Sequence, residues 1–309
     1  MANTDQVLFA LVPISILGSV LNWSSFYTIR KLASFKHSFG YLSSNQALAD
    51  ALHSTVFLLY FCPMALLDNS LMKQYSHICG FILLFFYELS VLTHLLISLN
   101  RLFSVWFPIA YDKAFNLSKT KYMIFILWMF ELTFALCFYE YLCHFYFDEK
   151  IRFLTFTNSP VCGIVGWYGD FLKNVFIVAI IMTLDICTLI KVKLLSCKLG
   201  SGISPASVRK LSSRDRRFLR QTVIQGSVFM LELLTYFFIP QYFENRWIVF
   251  FGTSFAWVAV HVADGYINCN TVQPGCTQLY FPKEEILSSV YDNPCFSLTM
   301  KVVKHQMIW

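Results

Sequence analysis

"THLLISLNRLFSVWFPIAY", residues 93–111, begins as a run that suits lipid and then places Asn100-Arg101 at its end. A guanidinium is always charged, so hydrocarbon is a costly neighbour for it. The apolar run reaches back to about residue 78, which makes it long enough to cross a bilayer. The arginine then falls where such a crossing would end. The reading of the whole chain turns on what that charge is for.

Composition answers the first part. The 309 residues are 57% hydrophobic and 18% aromatic, with only 14% charged. A soluble domain carries about 25% charged residues, so the surface of this chain is built for lipid. The ten cysteines are scattered without a CxxC pair, which is neither a zinc ribbon nor a dense disulfide scaffold. The N-terminus lacks the basic start and cleavage site of a signal peptide, so the first apolar segment is expected to stay as a signal-anchor.

Seven segments meet the length of a crossing: about 7–29, 41–62, 78–101, 122–143, 167–190, 218–239 and 247–268. The second and seventh are the most polar and suit a bundle interior. The connections 30–36, 101–121 and 191–220 carry sixteen Lys and Arg, against four in the alternate set: Lys73, Lys150, Arg152 and Arg246. This bias sets the N-terminus outside and the tail inside. The chain then divides into a short outer N-terminus (1–6), a membrane domain (7–268) and a cytoplasmic tail (269–309). The basic residues lie where topology uses them, so no nucleic-acid partner is expected. The sequons Asn22-Trp-Ser and Asn116-Leu-Ser fall within a span and in an inner connection, where no glycan is expected.

Arg101 thus stands at the inner end of the third span. A lone arginine there is a snorkelling anchor, but Tyr87, Val91, His94, Ser98 and Arg101 share one helix face. A polar stripe on an apolar helix faces a bundle. Asn22, Asp50, Arg101 and Trp128 follow one another at separations of 28, 51 and 27 residues. In that order and spacing they resemble the markers of rhodopsin-like G-protein-coupled receptors. The usual Asp/Glu-Arg-Tyr reads Asn100-Arg101-Leu102 here. "FGYLSSNQALAD" (39–50), "THLLISLNRLFSVWFPIAYD" (93–112), "WYGDF" (167–171), "DICTLIKV" (185–192), "FLRQTVIQG" (218–226) and "HVADGYINCN" (261–270) are similar to the nematode serpentine receptor class x chemoreceptors. The likeness covers about residues 10–270.

That resemblance implies an all-α membrane protein, a seven-transmembrane helix bundle of rhodopsin-like architecture. It implies a chemosensory receptor, not an enzyme, that binds an external small-molecule cue and activates a heterotrimeric G-protein by population shift. It implies the plasma membrane as the setting, with the ciliary membrane of sensory neurons as a further expectation. Arg101 would hold the resting bundle and then face the G-protein. With Asn100 replacing the acid, its usual ion-pair partner is absent, which leaves open how the resting state is held. Arg216, Arg217 and Arg220 in the basic connection are the other expected G-protein contacts, beside attraction to anionic lipid. Cys269 and Cys276 are candidates for palmitoylation.

Within the bundle, Asp50 needs a partner or water. Asp264 in the seventh span is placed to share a cation or proton with it, or each is hydrated separately. Asn22 and Trp128 complete the expected polar core. Leu83, Tyr87, Glu88 and Glu232 are the ligand-cavity candidates, the acids because a carboxyl in an apolar cavity orients a ligand. Leu83 stands where amine receptors carry an aspartate, which disfavours a biogenic amine. The seventh span has no lysine for a retinal Schiff base, and no cofactor is expected.

On the outer side the resemblance implies a Cys79–Cys162 bridge, with Cys143 as rival partner. "HFYFDEKIRFLTFT" (144–157) reads as two short aromatic strands around Asp148-Glu149-Lys150, a hairpin lid. A rival reading, a seven-span zinc hydrolase, rests on His53, His94 and His261 near Asp50 and Asp264. No HExxH or GxSxG supports it. A transporter or channel is the other alternative.

Overall fold

Among the described residues, seven long helices carry the chain in the computed structural model, which describes residues 9–149, 153–198 and 205–272. They are α1 (Leu11–Lys31), α2 (Ser38–Leu66), α3 (Ser76–Trp106), α4 (Leu117–Leu142), α5 (Pro160–Val192), α6 (Val223–Tyr242) and α7 (Arg246–Asn270). Each coincides with one expected span. Six are long and apolar enough by themselves to cross a membrane. α1 has the length, but Ser15, Ser19, Asn22 and Ser25 lower its hydropathy, and all four are buried against the bundle. Small residues let backbones approach where lipid gives no hydrophobic drive. A methyl group on Gly18 would lie 2.7 Å from the Ser54 hydroxyl of α2 and 3.0 Å from Val262 of α7.

The helix ends follow from local chemistry. Asn116 accepts from the Lys119 amide at 2.8 Å and starts α4. Asn245 does the same for α7 through Trp247 at 2.9 Å. α3 stops at Trp106 because Phe107 precedes Pro108 and sits outside the helical region, at φ −132° and ψ 58°. Pro108 then opens a short helix, Pro108–Ala114. In α2, Pro63 has no amide hydrogen to give to the carbonyl four residues earlier. The helix widens to a π-turn over Phe57–Phe61, just before it. Similar π segments occupy Leu136–Leu142, Val165–Leu172 and Phe251–Phe255.

α3 is the axis. Two thirds of its most apolar stretch (67%) is buried, against 17% for α4 and 22% for α5, whose apolar faces are left for lipid. α3 packs on α2, α4 and α5, and α1 lies between α2 and α7.

At one end of the bundle, strands β1 (Phe145–Asp148) and β2 (Phe153–Phe156) pair antiparallel, with Phe145 opposite Phe156. This is the expected hairpin, and it dips into the bundle. Phe145 is 5.8 Å from the Trp257 ring of α7, and Phe147 is 5.9 Å from Phe61 of α2. Gly80 of α3 allows the approach, since a Cβ there would sit 1.9 Å from the Phe145 carbonyl oxygen. Tyr236 of α6 donates to the Leu154 carbonyl at 2.6 Å. Lys73 bonds both Asp68 and Glu149, which ties the α2–α3 connection to the hairpin turn. The Asp68 hydrogen bond, with a further one from Glu149, raises the Lys73 ammonium above its usual pKa.

The disulfide differs from expectation. Cys143 and Cys162 are joined, with Cα atoms 5.4 Å apart, and Cys79 is free. Cys143 ends α4 and Cys162 starts α5, so the hairpin between them brings the two together within bridging range. Cys79 instead lies buried on the first turns of α3, near Cys62 of α2.

Candidate functional site

The end opposite the hairpin carries Arg101. One turn back along α3, Ser98 donates to Asp185 of α5 at 3.0 Å. The Asp185 carboxyl is close enough to Arg101 for the two charges to attract. The guanidinium also lies 5.3 Å from the Phe39 ring centre of α2. Asn100, which stands where the acid was expected, donates to the Tyr111 hydroxyl of the short helix at 3.3 Å. Among the described residues, an acid from another helix, 84 positions along the chain, thus lies within reach of the Arg101 charge. Arg216, Arg217 and Arg220 lie on the helical extension of α6 whose side chains are outside the described residues. Cys269 is buried near the end of α7, and Cys276 lies outside the described residues.

In the middle of the bundle Asp50, Asp264, Asn22 and Trp128 each meet polar partners. Asp50 accepts from Ser90 at 2.6 Å and from the His261 ring at 2.8 Å through one oxygen. Asp264 accepts from Gln46 at 3.3 Å and lies beside Gln225. The two carboxyls feel each other's charge, but each has its own bonds. Asn22 donates to the Gly18 and His261 carbonyls at 3.0 and 2.8 Å, which ties α1 to α7. Trp128 donates to Asn45 at 2.9 Å, and Asn45 donates to Thr93 at 2.9 Å, which joins α4, α2 and α3.

The three histidines of the zinc reading do not assemble. His53 and His261 lie with ring centres 3.9 Å apart and planes tilted by 41°, and His94 lies by Phe229. Among the described residues no three His, Cys, Asp or Glu side chains are grouped to hold a metal.

Toward the hairpin, α3 presents its two candidate acid-site residues in different directions. Tyr87 donates to Glu232 of α6 at 3.0 Å. Its ring also faces Trp257 and His261 of α7. Glu88 turns the other way, toward α4 and α5. One of its oxygens meets the Lys173 ammonium at 2.6 Å, the Asn174 amide at 2.9 Å and the Tyr139 hydroxyl at 3.1 Å. The same Asn174 amide group donates to Asp170 at 3.0 Å. Glu131 of α4 is buried within Coulombic range of Glu88 and Lys173. Leu83 is buried one turn nearer the hairpin.

Glu88 and Glu232 were legible as buried acids, but their companions were not. Glu131, Asp170, Lys173, Asn174 and Tyr139 were all missed. One signal was available: Asp170, Lys173 and Asn174 stand at i, i+3 and i+4, a single helix face. Glu131 gave none, because α4 otherwise reads as a lipid-facing helix.

Comparison with known proteins bears on the same architecture. The family described as serpentine type 7TM GPCR chemoreceptor Srx matches residues 12–270. Serpentine receptor class X 45 of Caenorhabditis elegans is 27% identical over 299 residues, which span 92% of this chain and 80% of its own. Serpentine receptor class X-43 of the same organism is 27% identical over 244 residues, 76% of this chain and 73% of its own. The crystal structure of squid rhodopsin superposes with a TM-score of 0.63 at 15% identity, over 89% of this chain and 84% of that one. That likeness is one of fold: a multi-pass helical bundle.

Proposed function

The chain belongs to the Srx family of serpentine seven-transmembrane GPCR chemoreceptors, and we propose that it binds an external small-molecule cue at the hairpin end and activates a heterotrimeric G-protein at the Arg101 end. The observation that carries this reading is the polarity of α3. One helix holds Tyr87 and Glu88 in a buried polar cluster under the hairpin and Arg101 beside Asp185 at the other end. The basic connections lie at the Arg101 end, and this bias supports a cytoplasmic Arg101 end and an outer hairpin. The membrane is the plasma membrane, and in a sensory neuron the ciliary one.

In this reading Asp185 takes over what the missing acid at position 100 would do. With Ser98 it holds Arg101 across the α3–α5 contact in the resting state. A cue that favours the open-inside arrangement releases Arg101 to the G-protein. The two sites are then coupled reciprocally. The exposed Ile109, on the short helix next to Arg101, is a second G-protein contact.

The test is nucleotide exchange on a panel of heterotrimeric G-proteins by purified receptor in nanodiscs. Asp185→Asn raises basal exchange several-fold, and adding Arg101→Ala to it abolishes the gain. Exchange in the Asp185→Asn receptor that is indifferent to Arg101→Ala contradicts the reading.

A further inference from the structure

The half of the bundle beneath the hairpin holds four buried carboxyl groups, Glu88, Glu131, Asp170 and Glu232, each exposed by 5% or less. They are one electrostatic group. Glu131 interacts with Glu88, Asp170 with Glu88, and Glu232 with Asp170. Among the described residues, Lys173 is the cation bonded within the group, through one oxygen of Glu88.

Its hydrogen bonding is unbalanced in the same direction as its charge. Glu88 Oε2, Glu131 Oε2 and Asn174 Oδ1 are buried acceptors without a hydrogen-bond partner. Beside them the Asn174 amide is engaged with Glu88 and Asp170, the Tyr139 hydroxyl with Glu88 and the Gly169 carbonyl, and the Lys173 ammonium with Glu88. Buried acceptors and buried negative charge both carry a cost when left unmet. Each is met by one kind of guest, a cation that brings several N–H donors.

The walls are aromatic. Phe156 of the hairpin lies 5.9 Å from the Tyr139 ring, and Phe134 already receives the Lys173 ammonium 4.2 Å from its centre. Aromatic faces stabilise cations and also accept an apolar body. Tyr139 and Asp170 stand on π segments, which recur at functional sites. A bare metal ion is not matched, since no three of these acids are grouped tightly enough among the described residues.

We infer that this region is a binding site for an organic ammonium or guanidinium ion with an apolar body, held by Glu88, Glu131 and Asp170 on one side and by Glu232 on the other. The inference rests on the receptor reading above and names the chemical class of its cue. Leu83 argued against an amine only where amine receptors seize theirs. The acids assembled here lie further along α3 and on α4, α5 and α6. The Tyr87–Glu232 bond gives the guest a route to α6, because a cation at Glu232 competes with that hydroxyl.

The test is the unfolding midpoint of the full-length receptor in nanodiscs, titrated at neutral pH. The probes are phenethylammonium, hexylammonium and phenethylguanidinium, against 2-phenylethanol and 1-hexanol as neutral counterparts. A saturable rise is expected with at least one cationic probe and with neither alcohol. Glu131→Gln keeps the shape of a group that makes no hydrogen bond, so that variant folds. It is expected to raise the midpoint of the empty receptor and to weaken the cation by about tenfold or more, the loss of one charge-assisted contact. Glu232→Gln is expected to weaken it comparably, and Glu140→Gln, outside the cluster, to leave it unchanged. The proposal is overturned by no shift with any cationic probe, by equal shifts with the alcohols, or by affinities indifferent to Glu131→Gln and Glu232→Gln. A midpoint that follows pH through Glu131 but ignores every cationic probe also overturns it, since protons would then neutralise the acids. Alcohols that both stabilise the receptor and stimulate nucleotide exchange would remove the charge assignment and leave the receptor reading standing.

Discussion

Lys173 shows how a single buried charge is held. Its ammonium is bonded to Glu88, which has no exposure of its own. Lys173→Met leaves that carboxylate buried beside Asp170 and Glu131 without its cation. Removing one partner of a buried pair costs about 3–5 kcal/mol. We expect a lowered unfolding midpoint and poor recovery of folded Lys173→Met protein, with Glu88→Gln in the same chain restoring most of the loss. Equal stability of Lys173→Met and wild type would show that the pair is not formed. At the same scale Gly80 is a steric requirement. Gly80→Ala drives a methyl group into the Phe145 carbonyl and costs about 1–3 kcal/mol. Faster hydrogen exchange along β1 is the expected sign of a displaced hairpin.

At the scale of elements, the hairpin was readable because two short aromatic runs flank a charged turn, and local chemistry is what a sequence displays. The bridge that staples it was not. Cys79, Cys143 and Cys162 all lie toward one end of the bundle, and the choice among them depends on depth and direction. Cys79 points into the bundle toward Cys62, while the hairpin folds Cys143 back on Cys162. Cys143→Ser and Cys162→Ser therefore have the same effect, a loss of about 3 kcal/mol for opening a loop of this size. Cys79→Ser leaves the bridge intact. Peptide mapping of non-reduced protein checks the pairing, and a Cys79-containing disulfide would contradict it. The same limit explains the partner of Arg101. Asp185 was visible as an acid in the fifth span, but its approach to α3 depends on how α5 is rotated.

The whole molecule was legible in outline because the bilayer is a severe solvent. It fixes the length of each crossing and leaves few polar groups inside, so seven spans and the marker residues stood out. The grouping of the buried polar residues was not legible. Glu88, Glu131, Asp170 and Glu232 lie on four helices, and which acids meet is decided by packing between helices distant in sequence. The proposed receptor has a direction: a cue enters at the hairpin end and the signal leaves at the Arg101 end. It is tested most directly by the side of the membrane that each end faces. An epitope tag on residue 1 is stained in intact cells, then in permeabilised cells, with surface delivery shown separately by biotinylation. Intact cells are expected to stain, with Arg101 and the basic connections in the cytoplasm. Staining only after permeabilisation, in cells whose receptor has reached the surface, would put Arg101 outside and contradict that direction.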